Sequence, residues 1–191
     1  MSEFINFLPA YLIKRYKEWK ATGYDDNKSW YNKIASEGQN PSTMIISCCD
    51  ARIHVTSIFG ADSGEFFIHR NIANLVPPYN PNGDHHGTSA AVEYAVKTLK
   101  VSNIIVMGHS KCGGINKGYY LSKGENNSEK TIFVEKWLSI LESSYKNVIN
   151  KNKKISDHLG INALEKESIK TSINHLIEFP FINILLKNKE L

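Results

Sequence analysis

Two short stretches hold most of the side chains able to do chemistry. Cys48-Cys49-Asp50-Ala51-Arg52 packs two thiols, a carboxylate and a guanidinium into five residues. His109-Ser110-Lys111-Cys112-Gly113-Gly114 adds an imidazole and a third thiol ahead of a glycine pair. Two thiolates and an imidazole form a soft donor set of tetrahedral preference that suits Zn²⁺. Three protein donors leave a fourth position for water, the pattern of a catalytic site. Neither stretch decides this alone. The His-x-x-Cys spacing arises often by chance, and free cysteines are commonly just buried. Together, at the ends of suitable strands, they point to one metal centre.

The elements that must position them are readable. Thr43–Cys48 (TMIISC) is an apolar run suited to a strand buried on both faces. Asn103–Met107 (NIIVM) and Glu65–His69 (EFFIH) are two further strand candidates. Ser89–Leu99 has an amphipathic helical pattern, with Thr88 or Ser89 as N-cap. Strand, helix, strand predicts a right-handed crossover and a parallel sheet. Open sheets of this kind place ligands at strand C-termini, where both stretches fall. Val76–Gly87 (VPPYNPNGDHHG) reads as a loop. Helices are predicted over 129–149, 161–177 and 179–191, with a solvated turn at 150–154. Residues 3–37 form an apolar-faced helical segment broken at Gly23–Lys28. The expected fold is α/β: a mainly parallel sheet of about four strands flanked by helices, with an N-terminal arm over 1–38 and a zinc-binding domain over 39–191.

Composition narrows the function. Of 191 residues 41% are hydrophobic and 22% charged, enough for a core. The net charge of +4 is small and spread along the chain, which argues against nucleic acid. No apolar run approaches the ~20 residues that span a bilayer. The opening residues lack a basic leader and cleavage site, so a cytoplasmic location is expected. Three cysteines suit a reducing compartment better than a disulfide scaffold.

Four separated blocks resemble the β-class carbonic anhydrases: Cys48–Arg52, Gly64–Asn74 (GEFFIHRNIAN), Ser89–Ala95 (SAAVEYA) and Gly108–Ile115 (GHSKCGGI). The resemblance runs from about Gln39 through Ile115 and continues weakly to Glu178–Phe181. It implies one Zn²⁺ per subunit on Cys48, His109 and Cys112, and reversible hydration of CO2 to bicarbonate by zinc-bound hydroxide. Asp50 and Arg52 would be the family's dyad. Arg52 offers a planar fork that can hold Asp50 ionised and oriented. In some members this Asp swings onto the metal, so Asp50 is a ligand only in such a closed state. By the same resemblance, Gln39 (nine positions before Cys48), Phe67, Ile72 and Tyr94 are substrate-pocket residues of a plant-like subgroup, and Gly113 and Gly114 supply N–H groups to substrate. Several of these come from the neighbouring subunit in the family, which implies a homodimer or higher homo-oligomer with the site at the interface.

Two departures stand out. Ala51 replaces the family's usual Ser, removing a hydroxyl that could aim a ligand. The family's further C-terminal strand is not expected here, since the sequence ends at Leu191; an exposed sheet edge or a weaker dimer would follow. Other residues have plainer readings. Cys49 alternates away from Cys48 and is expected to face the core. His85 and His86 read as solvated, His54 and His69 as structural, and Arg70 and Asn71 as loop anchors. The N-terminal apolar stripe reads as packing rather than membrane attachment. Two functional alternatives share the zinc site: a hydrolase of carbonyl sulfide or carbon disulfide, and a non-catalytic zinc-stabilised module.

Overall fold

The computed structural model describes residues 8–83, 86–125 and 130–191. The chain divides into two compact units, Met1–Gln39 and Asn40–Leu191. In the first, helix α1 (Ala10–Trp19) runs into a π-helical turn (Lys20–Tyr24), and α2 (Lys28–Glu37) follows. The break expected over Gly23–Lys28 is therefore shorter than the sequence suggests. Gly23 sits against the Trp19 ring, where a Cβ would lie 3.0 Å from Cδ1. Trp19 in turn packs between Tyr16, Tyr24 and Tyr31, with ring centroids 5.8–6.0 Å away. That clustering holds the helix together across the glycine. Leu8, Tyr11, Tyr16 and Trp19 nonetheless remain exposed.

The second unit is built on β1 (Thr43–Cys48), which lies between β2 (Phe66–Asn71) and β3 (Asn103–Met107). Both pairings are parallel, with Cys48 opposite Asn71 and Ser47 opposite Met107. Met44, Ile45, Ile46 and Ser47 are fully buried, as a central strand covered on both faces requires. The described residues hold three strands rather than about four. The apolar residues after Met107 recur at helical spacing and enter helices, so nothing there supplies a fourth. Because the strands are parallel and in register, their C-terminal ends share one edge.

Helices complete the unit: α3 (Val55–Phe59), α4 (His86–Glu93) with a π-helical continuation (Tyr94–Thr98), α5 (Gly113–Lys123), α6 (Ile132–Leu138), α7 (Glu142–Lys151), α8 (Asp157–Glu178) and α9 (Pro180–Asn188). Thr88 is not an N-cap. It lies inside α4, and its buried hydroxyl meets His69 Nε2 at 3.0 Å and accepts from Asn71 Nδ2 at 3.2 Å. The helix expected over 129–149 begins at Ile132; Glu129 and His85 fall outside the described residues.

The long helix α8 buries Gly160, Leu164, Ser168, Ser172 and Leu176, a single i, i+4 ridge. Small residues on it allow close approach. A Cβ on Gly160 would lie 2.6 Å from the Tyr119 hydroxyl of α5. Ser172 Oγ accepts the Val76 N–H at 3.1 Å, and His175 Nδ1 donates to the Val76 carbonyl at 2.7 Å. One core cluster joins the sheet to α4 and α9 through Met44, Ile46, Val92 and Ile182. A second joins Cys48 and Cys112 to Leu75, Ile115, Leu141 and Leu164. No helix of the described residues is long and apolar enough to cross a membrane.

Candidate metal centre

Cys48 ends β1, and the loop after the neighbouring β3 carries His109 and Cys112. One donor atom from each of the three lies within 4.8 Å of the others. The two sulfurs are 3.9 Å apart and both cysteines are buried. His109 Nδ1 lies 3.0 Å from the Ser110 carbonyl oxygen. A carbonyl only accepts, so Nδ1 carries the proton and Nε2 presents its lone pair. That Nε2 is buried with no hydrogen-bond partner among the described residues. An orphaned buried acceptor facing two thiols fits a cation site, and the donor set is that of zinc.

The thiols are prepared for this. Backbone N–H groups of Asp50 and Ala73 point at Cys48 Sγ, and those of Ile115 and Gly114 at Cys112 Sγ. Cys112 also stands at the N-terminus of α5, the positive end of a helix dipole. The contact between the two sulfurs holds Cys48 well below the usual thiol range, while the same contact and burial push Cys112 up.

Asp50 and Arg52 form a bidentate pair. Arg52 Nε donates to Asp50 Oδ1 at 2.9 Å and a terminal nitrogen of Arg52 to Oδ2 at 2.7 Å, with the Arg52 backbone N–H adding a third bond at 3.0 Å. These bonds hold the Asp50 carboxyl far below the ordinary carboxylate range. Asp50 Oδ2 lies 3.9 Å from His109 Nε2, at the edge of the donor cluster. Arg70 is the loop anchor expected of it. It donates to the carbonyls of Cys48, Asp50 and Ile53 at 2.8–2.9 Å, fixing the turn that carries Cys48 and the pair. His54 caps α3 through Ser57 N–H, and His69 is half-buried on Thr88, so both are structural as expected.

The remaining expected site residues separate into groups. Gly113 and Gly114 open α5 beside the sulfurs, and a Cβ on Gly114 would lie 2.9 Å from Ile72 Cγ2. Ile72 starts a short 3₁₀ turn whose next residues, Ala73 and Asn74, have φ of 65° and 48°. Such left-handed non-glycine backbone persists only where neighbours hold it. Here Asn71 bonds both ends of Leu75 at 2.8 and 2.9 Å, and Trp137 Nε1 donates to the Ile72 carbonyl at 2.8 Å. Phe67 and Tyr94 pair with each other, centroids 5.8 Å apart. Phe67 is in register with Met44, four residues before Cys48, roughly 13 Å back along the strands. Gln39 is exposed and ends the N-terminal unit.

Cys49 departs from expectation: it is exposed. It does alternate away from Cys48, but at the strand's end that side opens onto a cleft of about 730 Å³ lined by His69, Ile72 and Trp137. Two contacts with the centre carry no local sequence signal. Trp137 lies on a helix remote in sequence from Ile72. Glu165 Oε1 accepts the Cys112 N–H at 3.0 Å from the middle of α8.

Comparison with known proteins gives the same centre a family. Residues 43–191 match the carbonic anhydrase family model. The chain is 36% identical over 172 residues to beta carbonic anhydrase 3 of Arabidopsis thaliana, covering 90% of this chain and 66% of that protein. The β-carbonic anhydrase CcaA superposes with a TM-score of 0.86 at 28% identity, over 95% of this chain and 78% of CcaA. One of two tetrameric β-carbonic anhydrases from Sordaria macrospora gives 0.79 at 28% identity, over 95% and 86%. With two thiols and an imidazole converging at the C-terminal edge of a parallel sheet, and a match over most of its length, the chain belongs to the β-carbonic anhydrase family.

Proposed function

We propose that this protein catalyses the reversible hydration of CO2 to bicarbonate and a proton, with one Zn²⁺ held by Cys48, His109 and Cys112. The observation that carries this is the convergence of those three donor atoms around an orphaned imidazole nitrogen. Bound zinc would acidify a coordinated water and so supply a nucleophile at neutral pH, chemistry for which carbonic anhydrases are the standard example. Asp50 would accept a hydrogen bond from the attacking water and orient it toward the CO2 carbon. Arg52 keeps Asp50 ionised and occupies both of its oxygens, which favours an open metal position over a closed one. Ile72 walls the apolar side of the substrate position. Of the two glycines, Gly113 offers its N–H to a substrate oxygen, since that of Gly114 serves Cys112. The proton leaves to buffer.

Gln39, Phe67 and Tyr94 would complete the pocket from a neighbouring subunit. The distance of Phe67 from Cys48 within one chain supports that reading, and with it a homodimer or larger assembly. In this reading residues 39–191 carry the chemistry and the 1–38 arm serves assembly. Gln39, Ile72 and the Arabidopsis relative support the plant-like subgroup.

Stopped-flow CO2 hydration on protein of measured zinc content, run beside a carbonyl sulfide assay, tests this reading. We expect CO2 hydration in the zinc-loaded protein, and loss of both zinc and activity in Cys112→Ser. Full activity without metal, or turnover of carbonyl sulfide alone, would overturn it. Background activity in both assays with full zinc would leave the non-catalytic module.

A further inference from the structure

We propose that Glu165 is a positioning residue of the metal centre, acting with Arg52 to clamp the one peptide unit that delivers Cys112. The inference rests on the zinc reading above. The peptide joining Lys111 to Cys112 is gripped at both ends by side chains of opposite charge. Its carbonyl, that of Lys111, accepts from a terminal nitrogen of Arg52 at 2.9 Å. Its N–H, that of Cys112, donates to Glu165 Oε1 at 3.0 Å. Lys111 itself has φ of 55°, a left-handed conformation that a side-chain-bearing residue keeps only under restraint. The turn it makes is what points Cys112 Sγ back toward Cys48.

The two grips come from different parts of the fold. Arg52 belongs to the loop after β1 and binds Asp50 through Nε and the same terminal nitrogen that reaches the Lys111 carbonyl. Glu165 belongs to α8, whose buried ridge packs on α5 and on the loop around Gly108. A Cβ on Gly108 would lie 2.7 Å from Ile169 Cδ1, one turn from Glu165. The carboxylate is thus delivered by a rigid 22-residue helix rather than by a loop. Hydrogen bonds between opposite charges and the two ends of one amide reinforce each other through its dipole. The outcome is a continuous chain of contacts: Asp50, Arg52, the 111–112 peptide, Glu165. Through it the group that orients the attacking water and the ligand that holds the metal share one support. Removing such outer partners typically weakens metal binding 10–100-fold.

The test uses the full chain loaded with Zn²⁺ or Co²⁺. Metal affinity is measured by chelator competition, and site geometry by the d–d and thiolate charge-transfer bands of the Co²⁺ form. Glu165→Ala should weaken Zn²⁺ affinity by about 10–100-fold and shift the Co²⁺ bands. Glu165→Gln keeps an acceptor oxygen at the same reach and should stay within a few fold of the parent. Glu167→Ala on the same helix, which removes a contact to Lys151 at 3.1 Å, serves as the control for general damage to α8. Should Glu165→Ala fail to fold, Glu165→Asp, which withdraws the carboxylate by one methylene, takes its place and carries the same expectation. Affinity within twofold of the parent with unchanged bands in the Ala or Asp variant would overturn the inference. So would Glu165→Gln behaving like Glu165→Ala, or Glu167→Ala producing the same loss. Failure of the parent protein to bind zinc would instead refute the metal reading beneath it. Zinc binding without CO2 hydration in the parent would refute the activity and leave the clamp standing.

Discussion

At the scale of single residues, charge and hydrogen bonds decide which atoms face the centre. Arg52 depresses the Asp50 carboxyl, so the sign of the pH effect follows directly. The pair's stabilising contribution is fully present above the ordinary carboxylate pKa of about 4 and is lost as pH falls from there toward the lowered value. Arg52→Ala should therefore be less stable than the parent at neutral pH, with the gap closing below about pH 4. Urea unfolding of the zinc-free proteins at several pH values measures it; a gap that widens in acid would contradict the assignment. Arg70→Ala frees three carbonyls of the 48–53 turn and should lower zinc affinity about 10-fold or more with the fold intact, checked by chelator competition and circular dichroism. Much of this was legible in the sequence, because Cys48, Asp50, Arg52, His109 and Cys112 sit in two compact motifs. Glu165 and Trp137 were not, because each reaches the centre from a helix far along the chain. Cys49 was misjudged because alternation tells which way a side chain points and not whether anything covers that side.

At the scale of elements, the site depends on how closely helices approach the sheet edge. The α8 ridge is the clearest case. Gly160→Ala drives a methyl into the Tyr119 ring, with 2.6 Å to its hydroxyl, and Tyr119 is itself held by Asp157 at 3.1 Å. Overpacking of this kind costs about 1–3 kcal/mol, or several degrees in Tm for a chain of this length. Calorimetry should show that drop, whereas an unchanged Tm would mean the α5–α8 contact is looser than drawn. The strands at 43–48 and 103–107 read correctly from sequence, the first because a continuous apolar run is what a strand buried on both faces needs, the second because its short β-branched run fits a partly covered edge strand. Helices α3 and α5 gave no periodic signal. The first has five residues, and the second contains Gly113, Gly114 and Gly118, which look like turn residues. Gly118 is there because Leu141 occupies the space a Cβ would take. Helix α4 starts three residues earlier than the sequence suggests, because Thr88, a good capping residue, is spent on His69 and Asn71 instead.

At the scale of the whole molecule, Phe67 and Tyr94, proposed for the pocket, sit apart from the sulfurs of their own chain, and the N-terminal unit exposes Leu8, Tyr11 and Tyr16. Both features suit an assembly in which one copy completes another. Light scattering should give a mass of at least two chains. Mixing and reassembling Cys112→Ser with Tyr94→Ala should restore activity above that of either variant alone, since one mixed dimer site keeps all its parts; no recovery despite proven mixing would show that each chain builds its own pocket. All of this presupposes the metal. The most direct measurement is zinc-edge X-ray absorption on the purified protein. The account predicts one zinc per chain with two sulfurs at about 2.3 Å and two lighter donors, one of them imidazole nitrogen, at about 2.0–2.1 Å. An absent metal, or a shell without two sulfurs and an imidazole, would contradict it.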